Sequence, residues 1–218
     1  IADILENAFM DIMSKIRKKA KTEEFDYLFL MDCLSTYKQP KDKLSKLIKA
    51  NKLIRVKKGI YVFGKEYQQR SYSLEVLANL IYGPSYVSFE YALSYYNLIP
   101  EKVVRITSTC CKKIKNFSTP VGDFIYYYIA PKKFPSGIKL ESVDKNTNFL
   151  IATKEKALAD YIARIKPFEN KKALFDYLIE GMRIDQNELF SFKRVLVQEI
   201  SENYKNKNVE LLCNLLKK

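Results

Sequence analysis

The sequence predicts an α+β protein in two parts: an amino-terminal winged helix-turn-helix unit, then a larger α+β region with a mostly antiparallel sheet and a helical carboxy-terminal tail. Three observations predict it. Apolar residues recur at helical spacing through residues 4–51, they change to strand-like runs over 53–63 and again over 103–152, and they return to helical spacing after residue 153. The aperiodic stretch GKEYQQRS, residues 64–71, opens on a glycine and reads as the linker, so the units are expected at 1–66 and 72–218.

The first helix is expected over residues 4–20. Ile4, Leu5, Ala8, Phe9, Ile12, Met13 and Ile16 form one stripe there, and Arg17, Lys18 and Lys19 complement the helix dipole at its end. Phe25 to Leu34 reads as a second helix, Ser35 to Gln39 as a turn and Pro40 to Asn51 as a third helix. In that third helix Leu44, Leu47 and Ile48 share a buried face, which leaves Lys41, Lys43, Lys46 and Lys49 directed largely outward. Leu53 to Val56 and Ile60 to Phe63 then read as a hairpin turning at Lys57, Lys58 and Gly59, where glycine accepts a positive φ.

Charge concentrates on this segment. From Lys38 to Glu66 ten Lys/Arg face only Asp42 and Glu66, a local +8 within a chain total of +13. A basic helix beside a basic wing suits duplex DNA, the helix entering the major groove and the wing lying along phosphates. The residues expected on DNA are Lys38, Lys41, Lys43, Lys46, Lys49, Lys52, Arg55, Lys57 and Lys58. Lys57 and Lys58 suit phosphates, while Lys43, Lys46 and Lys49 suit base edges. A lysine-rich helix face is also what ordinary solvated surface looks like, and it is the adjoining wing that favours DNA.

In the second region, residues 73–82 and 88–96 have helical patterns interrupted by Gly83-Pro84-Ser85. VVRITSTC, CKKIKNFS, DFIYYYIA, GIKLESV and NTNFLIA follow as short strands, with a hairpin turn at Thr119-Pro120-Val121-Gly122. Thr153 caps a helix running to Arg164, and residues 171–218 read as three or four helices.

Composition narrows the chemistry. The chain has no histidine, which removes Ser/His/Asp and Cys/His nucleophilic machinery, and Cys33, Cys110, Cys111 and Cys213 lack CxxC spacing. Reduced thiols in a cytoplasmic protein are expected. Only six glycines occur and none forms a phosphate loop of recognised spacing, so neither an enzyme nor a cofactor is expected. No apolar run approaches a membrane span, and the acidic amino-terminal residues do not resemble a secretory signal. A pI near 9.4 points to a polyanionic partner.

ANLIYGPSYVSFEYALSYYNLIPE at 78–101, ITSTCCKKIKNFSTPVGDFIYYYI at 106–129 and ATKEKALADYI at 152–162 together resemble the body of the AbiEi-type antitoxins of bacterial abortive-infection systems. LIRVKKGIYVF resembles that family's wing, and the similarity covers residues 15–164. Its most specific parts are Tyr82 to Ser88, Thr119-Pro120 and Glu155 to Leu158. The resemblance implies an antitoxin of a type IV toxin–antitoxin pair, partnered with a nucleotidyltransferase toxin, whose winged unit represses the shared operon by binding operator DNA; cooperative self-association on neighbouring half-sites is a separate expectation, from the gain of linked binding. The tail after Pro167 falls outside it.

Read physically, most matched residues are structural. Gly83-Pro84 ends one helix and Ser85 or Ser88 caps the next. Tyr82, Tyr86, Tyr91, Tyr95 and Tyr96 read as core packing with hydroxyls at the surface, or as an aromatic contact surface for a protein partner. Glu155 and Lys156 are expected to solvate the first turn of their helix, with a role in antitoxicity as the alternative. Two other functions compete with the antitoxin reading: a protein- or RNA-interaction module with an architectural winged unit, and an enzyme that modifies the toxin.

Overall fold

The computed structural model describes residues 11–217. The expected stripe positions Ile4, Leu5, Ala8 and Phe9 lie outside them; the helix is described from Ile12 to Lys19 (α1), capped by the Asp11 carboxylate on the Met13 amide at 3.3 Å. Next come β1 (Glu24–Asp26), α2 (Tyr27–Cys33), α3 (Pro40–Lys49), β2 (Leu53–Lys57) and β3 (Ile60–Phe63). The three strands form an antiparallel sheet in the order β1-β3-β2. The helix expected from Phe25 starts two residues later. Glu24, Phe25 and Asp26 pair with Val62, Tyr61 and Ile60, and the Phe25 ring packs edge-on to Phe63 at 4.8 Å, so tertiary pairing overrides local helical spacing.

The larger region contains α4 (Leu74–Ile81), β4 (Ser85–Val87), α5 (Phe89–Tyr95), β5 (Ile106–Cys110), β6 (Lys115–Thr119), β7 (Gly122–Tyr128), β8 (Ile138–Asp144), β9 (Thr147–Ala152) and α6 (Lys154–Ile162). The tail adds α7 (Lys171–Asp176), α8 (Gln186–Phe190), α9 (Arg194–Tyr204) and α10 (Lys207–Leu216). Ser85, Tyr86 and Val87, expected between helices, instead form a central strand. The six-stranded sheet runs β6-β7-β5-β4-β9-β8 and is mixed: β5 is parallel to β7 and β4 to β9, while the other three pairings are antiparallel. The β6–β7 hairpin folds back to place β7 against β5, which forces that parallel pair.

Helices cover both faces of the sheet. Tyr126 turns toward α4 and donates its hydroxyl to the Ala78 carbonyl at 2.6 Å. Its neighbour Tyr127 turns to the opposite face, where the Phe89 ring lies at 4.9 Å, as strand alternation requires. The tail closes this second side: Asn208 donates to the Ile162 carbonyl at 2.8 Å and accepts from the Phe168 amide at 2.9 Å.

Two hydrophobic cores meet at the β2–β3 hairpin. Leu53, Tyr61 and Phe63 belong to the smaller core with Ile16, Leu30 and Leu47, whereas Val56 and Val62 belong to the larger one. The residues between the two regions are likewise anchored. Glu24 is buried and accepts from the Ser73 amide at 2.5 Å; Arg70 lies 3.6 Å from Glu24 and 2.8 Å from Asp144. The stretch read as the linker thus ends in residues that pair with both regions. Burial raises the Glu24 carboxyl above its ordinary value, with the Ser73 amide and Arg70 opposing the rise.

Two outcomes are expected. Val62→Ala should cost about 2 kcal/mol by deleting buried methyls, and urea unfolding should remain one transition seen alike by probes in either region. Because the folded state holds the Glu24 proton more tightly than the unfolded chain does, its contribution to stability is present below pH 4.5 and is lost as pH rises through the raised folded value. Melting across that range should show a fall in wild type that Glu24→Gln removes.

Candidate nucleic-acid interface

Helix α3 owes its boundaries to local chemistry. Pro40 sits at its first turn with Asp42 in the same turn, Lys46 and Lys49 lie in the last, and Leu44 and Leu47 are buried. Ten residues at this pitch place Lys41, Lys46 and Lys49 in solvent, with Lys38 exposed in the preceding turn. Lys43 is half-buried because its ammonium lies 4.9 Å from the centre of the Tyr37 ring. Lys52 lies over Tyr67 at 5.4 Å and is raised above the ordinary lysine value, chiefly by its contact with the Tyr67 hydroxyl.

The hairpin contributes Arg55 and Lys58, both exposed, and Gly59 takes the positive φ of 92° expected of the turn. Lys41, Arg55 and Lys58 line one groove of about 580 Å³ between α3 and the hairpin, floored by Leu44, Ile48 and Tyr61. Among the described residues, every ion pair uses a cation outside residues 38–66. The local positive charge is therefore uncompensated, which suits a polyanion.

Lys57 is placed differently from the phosphate contact expected of it. Its ammonium donates to the Ile81 carbonyl at 2.7 Å and lies 4.5 Å from the Phe117 ring centre, on the side facing the larger region. Partial burial lowers its pKa, and Lys115 and Lys112 add to the effect. The ladder slips between Arg55 and Lys57, which breaks the alternation and brings Lys57, with its partner Ile60, to the side of the larger region. Lys112 and Lys115 thus neighbour the hairpin, and the acid-free run CKKIK is the one sequence signal of them.

The motifs behind the family resemblance converge on a second place, deep in the larger region. Tyr86 and Ser88 donate to one oxygen of Asp160, at 3.0 and 2.6 Å, and Tyr204 of the tail donates to the other. Lys156 donates to Tyr204 at 2.8 Å and to the Lys133 carbonyl, with Asp160 at 3.7 Å. Lys156 and Glu155, expected in solvent, are both buried: the tail packs over them, and Glu155 accepts from the Lys193 amide at 3.0 Å where α9 begins. Desolvation lowers the Lys156 pKa, opposed by Asp160, and raises the hydroxyls of Tyr86 and Tyr204, with Asp160 adding to the rise.

Ser88 sits at the amino-terminal cap of α5, yet its hydroxyl serves Asp160 and makes no cap bond; Ser85 donates to the Ala78 carbonyl at 3.3 Å. The tyrosine hydroxyls expected at the surface are largely internal. Tyr91 donates to Glu75 at 2.5 Å and Tyr96 to the Ala152 carbonyl at 2.9 Å, and of the five only Tyr95 is exposed. Among the described residues no cluster of acids and thiols is arranged to hold a metal ion, all four cysteines are free thiols, and no helix is long and apolar enough to cross a membrane. No protein-family model matches this chain, and no curated protein sequence matches it.

The Asp160 cluster yields a stability expectation. Asp160→Ala strips the buried ammonium of Lys156 of its counter-charge and should cost about 3–5 kcal/mol, read by urea unfolding. Lys156→Met together with Asp160→Asn should recover most of that loss; failure to recover would show that the charge pair itself holds the tail in place.

Proposed function

We propose that this chain is a DNA-binding antitoxin of the AbiEi type, in which residues 1–66 act as a winged helix-turn-helix unit on operator DNA and the larger region counters a nucleotidyltransferase toxin. The observation that carries the DNA half of the reading is the uncompensated cationic groove of Lys41, Arg55 and Lys58 between α3 and the hairpin turn. The element order α1-β1-α2-α3-β2-β3 supports the winged unit, with α3 as the helix offered to the major groove. The antitoxin half is supported by two separate resembling segments meeting in one buried cluster, Tyr86 and Ser88 from one and Lys156 and Asp160 from another.

A second reading draws on a specific observation. The rear face of the hairpin, Val56 and Val62, is packed into the larger core, as it would be if the amino-terminal unit were an architectural part of a protein- or RNA-binding module. Mobility shifts on operator and scrambled duplexes over a range of salt separate the two, because sequence-specific readers retain a preference that phosphate contacts alone do not give.

Single substitutions sharpen the assignment. Lys58→Ala should weaken binding to all duplexes alike and lower the salt slope by about one. Lys57→Ala should leave the slope unchanged and lower thermal stability instead, since its ammonium is engaged by Ile81. Equal slope losses for the two would put Lys57 on the DNA. Lys46→Ala should cost about 1–3 kcal/mol on the operator and relax specificity; a uniform loss across sequences would make it a phosphate contact.

A further inference from the structure

On the far side of the big sheet a cavity of about 460 Å³ lies between α5, the strands β5 and β7, and the start of the tail. Its walls fall into two chemical parts. Ile99, Val103 and Ile125 make an apolar sleeve, and Tyr127, Tyr161 and Tyr177 supply aromatic rings beside the carboxyl group of Glu90. One Glu90 oxygen, Oε2, is closed off from solvent and meets no hydrogen-bond donor among the described residues. The other acid at the cavity, Glu101, is already paired with Arg183, and Arg105 at the rim lies 3.9 Å from Asp123.

The wall on the tail side has an unusual backbone. Tyr177 to Gly181 forms a π-helical turn that continues α7, a device that recurs at functional sites. Gly181 lets the turn close on its own first residue: a Cβ there would stand 3.1 Å from the Tyr177 ring. The turn brings the Tyr177 hydroxyl to 3.2 Å from that of Tyr161. Tyr161 is held protonated well above the ordinary tyrosine range, first by burial, then by Tyr177 and by the negative charges of Glu90 and Glu101.

From the Glu90 carboxyl group, the tyrosine rings and the apolar sleeve that line it, we infer that this cavity binds the head of an alkyl guanidinium or ammonium group. The methylenes of such a group lie along Ile99, Val103 and Ile125, as basic side chains do on apolar surface. Its cation faces the tyrosine rings and donates to Glu90. The same sheet face already shows this chemistry: the Arg164 guanidinium, outside the cavity, lies 3.9 Å from the centre of the Tyr127 ring. A volume near 460 Å³ suits one long side chain or one small amine. The site is independent of the cationic groove at α3 and of the proposed function.

Isothermal titration of the full chain tests it with three probes: Nα-acetyl-arginine methylamide, agmatine, and the uncharged isostere Nα-acetyl-citrulline methylamide. Saturable one-to-one binding of at least one guanidinium probe, with none of the citrulline compound, is expected. A preference for the acetylated arginine identifies a partner protein's side chain as the source; a preference for agmatine identifies a free amine. Glu90→Gln should weaken binding by about tenfold or more, with thermal unfolding run alongside to confirm its fold. No saturable binding by either guanidinium, equal binding of the citrulline compound, or undiminished binding by a folded Glu90→Gln protein would overturn the inference; the citrulline comparison stands even if the variant does not fold.

Discussion

The β2–β3 hairpin is buried on both faces, and most of the arrangement on either side of it depends on that fact. Leu53, Tyr61 and Phe63 lie in the smaller core; Val56 and Val62, on the opposite face of the same strands, lie in the larger. With both faces packed, little of the hairpin beyond Arg55 and the turn reaches solvent. That is why Lys58 and Gly59 are presented outward while Lys57, one residue earlier, is drawn under the larger region to Ile81 and Phe117. The same packing fixes the direction in which α3 faces, so any duplex approaching the groove meets an orientation set by the larger core.

The polar seam strengthens this coupling. Glu24 sits beside β3 on the edge strand β1 and reaches the Ser73 amide at the start of α4, while Arg70 spans Glu24 and Asp144. Charged groups at such a seam are favourable only when their partners are in place. The stretch GKEYQQRS looks like a linker because it lacks periodicity, yet Gln68 donates to the Phe63 carbonyl at 2.9 Å and Gln69 to Glu23 at 3.3 Å. Aperiodic sequence reports the absence of a regular element; it does not report freedom.

Elements long enough to show a period were legible in the sequence: α3, the hairpin, the strand runs from 106 to 152, and α6 with its Thr153 cap all fall where the residue pattern places them. The misses are short or non-local. β1 and β4 are three residues each, too few for alternation to declare itself, and each exists because a partner strand distant in sequence pairs with it. The parallel pairings follow from where the β6–β7 hairpin lands, which no local pattern encodes. The lysines of the candidate interface were legible by position; the diversion of Lys57 was not, because it depends on β6. One signal was present: LIRV and IYVF do not alternate apolar with polar, and a continuous run of this kind predicts burial on both faces.

The same reasoning explains Lys156. In sequence it opens a helix beside a threonine cap, where a charged residue ordinarily meets water, but seven of the nine residues of α6 are buried because α5 packs on one side and the tail on the other. Tyr204, 44 residues beyond Asp160, completes the hydrogen bonding of a cluster whose Tyr86, Ser88, Lys156 and Asp160 come from the resembling segments. The tail is therefore part of the larger core and not an appendage to it. This bears on how the two halves can be dissected. Cutting near residue 65 would strip Val56 and Val62 from the larger core and expose the apolar side of α4, so loss of activity in either fragment would mix folding with function. Point substitutions at Lys58 and Lys57 leave both cores closed and separate the exposed groove from the hairpin's contact with the larger region, while the paired change Lys156→Met with Asp160→Asn probes the buried cluster within one intact chain.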